Sequence, residues 1–179
     1  DPRRKVLPRR VARLHLEPLV GIERRQVVKG DLVTGLVTAL LAGGITEIEV
    51  IDKPKIGIIP TGSELVEAGD AMAEGKIIDS NTHMFAGLVK EYLGEPHRYP
   101  TVKDDYNLIK EAITKAVAEN DMVLISAGSS AGAEDYTRNL IAELGQVVVH
   151  GVAIKPGKPV VLGIVEGKPV IGIPGYPVS

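Results

Sequence analysis

The sequence predicts a three-layer α/β fold: an open, mostly parallel sheet with helices on both faces and an antiparallel edge near the C-terminus. Three observations carry that expectation. From Thr46 onward, short β-branched runs alternate with amphipathic stretches, the rhythm of βαβ units. Met122 to Ser126 is an unalternated apolar run followed by a small-residue loop, as in a parallel strand buried on both faces. After Gly145 the helical stretches cease and strands follow one another, with Glu166-Gly167 as a hairpin turn.

The chain has 179 residues, enough for one compact domain and an appended segment. We divide it into a linker or partial N-terminal segment with one helix, residues 1–52, and a main domain, residues 53–179. The stretch from Asp1 to Arg13 gathers Arg3, Arg4, Lys5, Arg9, Arg10 and Arg13 around two prolines. It reads as a solvated linker or, more sharply, as an arm that meets an anionic ligand or partner. Asp31 can N-cap an apolar helix through Leu32, Val33, Leu36, Val37, Leu40 and Leu41, with Gly43-Gly44 as its stop. Strands are expected at Ile48 to Ile51 and Lys55 to Ile59, then a helix from about Ser80 to Tyr92. A polar strand-like piece around His97 to Val102 leads to a second helix with Asp104 or Asp105 near its start. That helix sets Leu108, Ile109, Ala112, Ile113, Ala116 and Val117 on one face. A third helix, Asp135 to Leu144, precedes strands at Val147 to Ile154, Val160 to Val165 and Val170 to Ile173.

Composition narrows the chemistry. With no cysteine, disulfides, thiolate nucleophiles and thiolate metal sites are excluded. Aromatic residues are only 3%, with no Trp and one Phe, too few for base-stacking platforms, which argues against nucleic acid as the main ligand. No stretch supplies the roughly 18 apolar residues that span a bilayer, and the N-terminus lacks a signal-peptide core, so a cytoplasmic protein is expected. Because the chain opens at Asp1 and stops at Ser179 directly after a turn, a fragment of a longer protein is also expected.

In an open parallel sheet, ligands bind outside the carboxyl ends of the strands, and four loops there are unusual. Pro60-Thr61-Gly62-Ser63-Glu64 offers hydroxyls and backbone N–H groups to an anion, or merely caps the next segment. Ala127-Gly128-Ser129-Ser130-Ala131-Gly132-Ala133-Glu134-Asp135 opens a helix whose N-terminal amides favour negative charge, though it is not a Walker loop. Asp135 either caps that helix or holds a cation such as Mg²⁺. Lys155-Pro156-Gly157-Lys158-Pro159 holds two cations on a stiff turn, which an anion between them would relieve; the alternative is two solvated lysines. In Pro174-Gly175-Tyr176-Pro177, Tyr176 either stacks on a flat heterocycle or covers the loop. Asp79 and the Asp104-Asp105 pair read first as helix caps, with an oxygen-only Mg²⁺ site as the alternative. The histidines His15, His83, His97 and His150 have no metal-ligand spacing.

Six motifs occur in order: Pro60-Thr61-Gly62-Ser63-Glu64-Leu65, Ile78-Asp79-Ser80-Asn81, Lys103-Asp104-Asp105, the Gly128 to Tyr136 loop, Lys155-Pro156-Gly157-Lys158-Pro159, and Pro174-Gly175-Tyr176-Pro177-Val178-Ser179. On these, the chain from about Lys53 to Ser179 resembles the molybdopterin-binding domain of the MoeA/gephyrin E-domain family, the molybdopterin molybdenumtransferases. Residues from about Leu14 to Val50 look like that family's connecting segment. The resemblance implies a MogA-like fold and a homodimer. It also implies further domains outside this chain, with the cleft completed by a neighbouring subunit.

The implied reaction takes adenylylated molybdopterin and molybdate, inserts the metal at the dithiolene and releases AMP, with Mg²⁺ assistance. By resemblance, Thr61, Gly62, Ser63, Glu64, Gly128, Ser129, Ser130, Gly132, Pro174, Gly175 and Tyr176 hold the pterin ligand. Asp104, Asp135, Lys155 and Lys158 carry the catalysis, with Asp104 and Asp135 as the Mg²⁺ ligands and the lysines neutralising oxyanions. An adenylyltransferase is the implied partner that supplies the ligand. The chain departs from the family with Ser63 in place of Asp, Ala127-Gly128 in place of two glycines, and Tyr176 in place of Asn. These changes are consistent with a related ligand or with tungstate. The competing readings are a molybdopterin adenylyltransferase, which shares the fold, and a non-catalytic pterin-binding module.

Overall fold

The computed structural model describes residues 11–15, 31–51, 53–126, 133–153 and 159–175, with backbone alone for 11–15, 31–34, 48–51 and 133–135. The chain divides into two compact units, 1–52 and 53–179.

In the first unit, β1 (Val11–His15) pairs antiparallel with β2 (Glu47–Ile51), and α1 (Asp31–Ala42) lies between them in sequence. The register sets Arg13 opposite Glu49 and His15 opposite Glu47. This corrects the expectation that the basic stretch is linker to its end: residues 11–13 are strand, and residues 1–10 lie outside the described residues. Helix α1 stops as its glycines predict. Ile45 N–H donates to Leu40 O at 2.9 Å and Gly44 N–H to Leu41 O at 3.0 Å, with Gly44 at φ 77°.

The second unit contains β3 (Lys55–Pro60), the two-residue strands β4 (Leu65–Val66) and β5 (Ile77–Ile78), α2 (Asn81–Glu91), β6 (Glu95–Arg98) and α3 (Tyr106–Glu119). It continues with β7 (Met122–Ser126), α4 (Ala133–Leu144), β8 (Gly145–His150), β9 (Val161–Val165) and β10 (Lys168–Ile173). The six-stranded sheet has the order β6-β3-β7-β10-β9-β8. Strands β6, β3, β7 and β10 run parallel, while β9 and β8 are antiparallel to their neighbours, as the sequence predicts for the C-terminal edge.

Alternation along the strands sorts the core into two layers. Ile59, Val123, Ile125, Val161, Val165 and Val170 meet Ile109, Ile113, Ala116 and Val117 of α3 and Leu140 and Ile141 of α4, all buried. Each fully buried large aliphatic side chain here contributes about 1.5–3 kcal/mol. On the opposite face Ile56, Met122 and Leu124 face Phe85, Leu88 and Val89 of α2 and its C-cap Tyr92 around an apolar cavity of about 350 Å³. Leu108, expected on the buried face of α3, is 45% exposed, because it lies about one residue's turn away from the Ile109–Ile113–Ala116 stripe. The β9–β10 hairpin turns through Glu166 at φ 50° and Gly167 at φ 78°, the two consecutive left-handed residues a two-residue connection requires. Strand β8 starts at Gly145 and ends at His150, short of the expected Ile154; Gly151, at φ 80°, donates to Val160 O at 2.8 Å.

Candidate functional site

The direction of the connections locates the site. From β3 the chain passes to the edge strand β6, whereas from neighbouring β7 it passes through α4 to the opposite edge strand β8. Loops that leave adjacent parallel strands in opposite directions open a crevice at the carboxyl edge between them. The segments after β3, β6, β7 and β10 all emerge at that edge.

The loop after β3 is tightly stitched. Thr61 N–H donates to Ser126 O at 2.9 Å and its Oγ1 donates to the same carbonyl at 3.1 Å, tying β3 to the end of β7. Gly62 N–H donates to Val102 O at 3.0 Å, and Val102 N–H to Pro60 O at 2.9 Å, tying it to the segment after β6. Ser63 N–H donates to Asp104 Oδ2 at 3.0 Å while Asp104 N–H donates to Ser63 Oγ at 3.2 Å. Thr61 is fully buried. The amides of Thr61, Gly62 and Ser63 are thus each paired within the protein, and the Ser63 hydroxyl stays at the exposed surface as an acceptor for the Asp104 amide. Their work is to build the crevice wall. A Cβ at Gly62, which has φ 150°, would meet Glu64 Oε2 at 2.9 Å, so the Glu64 carboxylate folds back over this glycine.

Asp104 is the exception among these satisfied groups: its Oδ1 is buried with no hydrogen-bond partner. A carboxylate held through one oxygen with the other left open is the donor chemistry a Mg²⁺ ion uses, with waters and ligand phosphates filling the remaining positions. Asp104 thus fits the Mg²⁺ role expected of it. Among the described residues no group of three His, Cys, Asp or Glu is arranged to hold a metal ion. Asp105, its neighbour, is the N-cap of α3, accepting from Asn107 N–H at 2.9 Å and Leu108 N–H at 3.0 Å. Asp135 stands third in α4, beyond the N-cap position, which corrects its reading as the cap; a carboxylate in the first turn still favours the helix dipole. Gly128, Ser129, Ser130, Gly132, Lys155, Lys158 and Tyr176 lie outside the described residues.

At the far end of the crevice Pro174 and Gly175 follow β10, Pro174 buried and Gly175 half-buried. Asn81, the first residue of α2, donates from Nδ2 to Gly175 O at 2.7 Å. Beside it Asp79 is 2% exposed. Its Oδ1 accepts from Thr82 N–H at 3.1 Å and its Oδ2 accepts from Thr82 Oγ1, so Asp79 caps α2 from one residue ahead of the N-cap Ser80, whose side chain makes no capping bond. Arg98, at the end of β6, compensates the buried charge: Nη2 donates to Asp79 Oδ2 at 3.3 Å and to Glu67 Oε1 at 2.7 Å, and Nε to Thr82 Oγ1 at 3.0 Å. Sequence reading assigned no role to Asn81 or Arg98. Asn81 lies within the Ile78-Asp79-Ser80-Asn81 motif, whereas Arg98 has no signal of its own beyond a cation in a polar strand.

Comparison with known proteins follows the same outline. A family model described as "Probable molybdopterin binding domain" matches residues 57–179. A putative molybdopterin biosynthesis protein of Methanocaldococcus jannaschii is 42% identical over 160 residues, covering 84% of this chain and 40% of its own. A molybdopterin molybdenumtransferase of Nostoc is 34% identical over 147 residues, covering 80% of this chain and 34% of its own. The crystal structure of a molybdopterin biosynthesis MoeA protein from Pyrococcus horikoshii superposes with a TM-score of 0.73 at 42% identity, over 80% of this chain and 35% of that one. The chain therefore spans 34–40% of the length of these curated relatives.

Proposed function

Because the chain belongs to the molybdopterin-binding domain family, we propose that the crevice between β3 and β7 holds adenylylated molybdopterin for insertion of molybdate, with release of AMP. The observation that carries this reading is Asp104. The fold fixes its carboxylate through Ser63 at the crevice wall and leaves Oδ1 without a partner.

In this reading the amides of the loop from Ser129 to Ala133, at the opening of α4, hold the ligand's phosphates, and Lys155 and Lys158 neutralise oxyanions, molybdate among them. The Pro174-Gly175 turn and Tyr176 border the pterin. Asp104 and Asp135 would hold Mg²⁺, which when bound supplies charge neutralisation at the phosphates. The residues bind, orient and neutralise; no protein nucleophile is needed. The chain acts as part of a cytoplasmic homodimer that takes its ligand from an adenylyltransferase.

Titration of the chain with molybdopterin and with its adenylylated form, followed by pterin fluorescence, tests the reading. Saturable binding of the adenylylated form is expected, weakened by Lys155→Ala and, in the presence of Mg²⁺, by Asp104→Asn. Absence of saturable binding for both forms overturns it.

A further inference from the structure

Asn81 is 8% exposed and occupies the first helical position of α2. Its side chain does nothing for the helix it begins. The N–H of Thr82 is taken by Asp79, and Asn81 spends its own donor on Gly175 O at 2.7 Å, 94 residues further along the chain. The second polar atom of the amide, Oδ1, is buried with no hydrogen-bond partner. That unpaired acceptor costs stability, and an apolar residue of the same shape avoids the cost. What Asn81 does achieve is a fixed link between the start of α2 and the segment that follows β10 at the carboxyl edge of the sheet.

We propose that Asn81 is a positioning residue of the ligand site, holding the Pro174-Gly175 turn in place through Gly175 O. This rests on the molybdopterin reading of the crevice. The class of ligand is the same flat, anionic pterin, and the effect of Asn81 on it is indirect, through the backbone of the turn.

The test compares the wild-type chain with Asn81→Leu, which keeps the size and removes both polar atoms, and Asn81→Asp, which keeps the shape but removes the donor. Hydrogen exchange of a peptide covering residues 171–179, thermal melting, and the fluorescence titration with molybdopterin are read on each. For Asn81→Leu the expected result is a turn exchanging about tenfold faster and molybdopterin binding about tenfold weaker, with melting unchanged or raised, since loss of one hydrogen bond to the turn is of that size. A purely structural role would move melting instead and leave the affinity of the folded protein alone. Should Asn81→Leu fail to fold, Asn81→Asp carries the comparison. Wild-type exchange and wild-type affinity in the folded variants overturn the proposal. If the wild-type chain takes up no molybdopterin, the functional reading falls and the ligand role of Asn81 with it. The exchange difference then still shows whether Asn81 holds the turn.

Discussion

Ser63 and Asp104 hold each other across the mouth of the crevice: the amide of Ser63 donates to Asp104 Oδ2 at 3.0 Å, and the amide of Asp104 donates to Ser63 Oγ at 3.2 Å. The two residues are 41 positions apart and sit on segments that follow different strands, so the pair works as a reciprocal clamp. A hydroxyl serves the Asp104 amide here without placing a second carboxylate beside the first.

Substitution at Ser63 separates these two consequences. Ser63→Ala removes the acceptor from the Asp104 amide, and because both residues reach solvent the cost in stability is about 0.5–1 kcal/mol, read from urea midpoints. Ser63→Asp restores an acceptor but sets two carboxylates against each other, an arrangement that favours a divalent cation between them. Calorimetric titration with Mg²⁺ is expected to give tighter binding for Ser63→Asp than for the wild type, and weaker binding for Asp104→Asn. Equal affinities in all three would remove Asp104 from the cation role.

Arg98 compensates a carboxylate that has almost no contact with water, as the Asp79 side chain is 1% exposed. Among the described residues, removing the cation alone leaves that charge buried with Thr82 as its remaining side-chain partner. Arg98→Ala is therefore expected to destabilise the chain by about 3 kcal/mol, seen as a lowered denaturation midpoint. The double variant Arg98→Met with Asp79→Asn should recover part of the loss, because no uncompensated charge remains. If the double variant is no more stable than Arg98→Ala, the loss does not come from an uncompensated charge on Asp79.

Gly163 lies where α4 crosses β9. A Cβ there would fall 2.2 Å from Ile141 Cγ2 and 3.0 Å from Gln146 O, in a core where Ile141 has no exposed surface. Gly163→Ala should cost about 1–3 kcal/mol through overpacking, with an unchanged urea m-value. Combining it with Ile141→Val removes one methyl from the Ile141 side chain and is expected to return some of that stability.

The parallel half of the fold is readable from the sequence because its signals are local: the unalternated run of β7 and the 3.6-residue stripe of α3 each lie within one element. Strand β1 is not readable in this way, since its Arg13 belongs to a basic run that resembles linker, and its pairing depends on Glu47 and Glu49 more than 30 residues later. The two-residue strands β4 and β5 carry too few positions to show a period, and Ile77 and Ile78 are exposed. At the site, residue types mark the loops but not what each group touches. Thr61 and Ser63 look alike as hydroxyls, yet one is buried against Ser126 and the other is exposed beside Asp104. The link from Asn81 to Gly175 is a consequence of topology alone, set when β10 returns beside β7.

Tyr99 supplies a prediction in pH. Its hydroxyl donates to Glu119 Oε2 at 2.6 Å and accepts from Asn120 Nδ2 at 2.8 Å, deep against α3. Burial first, and then the bond to the Glu119 carboxylate, push the phenol from 10.0 up to about 12, with the Asn120 amide opposing. The folded state therefore holds the proton more tightly than the unfolded one. The associated stability is complete below about pH 10 and is lost as pH rises to about 12. Tyr99→Phe cannot ionise, so the difference in urea midpoint between wild type and Tyr99→Phe should be constant up to about pH 10 and then shrink. Absorbance titration of the tyrosinate band should show a group titrating near pH 12 in the wild type that Tyr99→Phe removes. Parallel stability curves through the alkaline range would mean that the phenol ionises as readily in the folded chain as in the unfolded one.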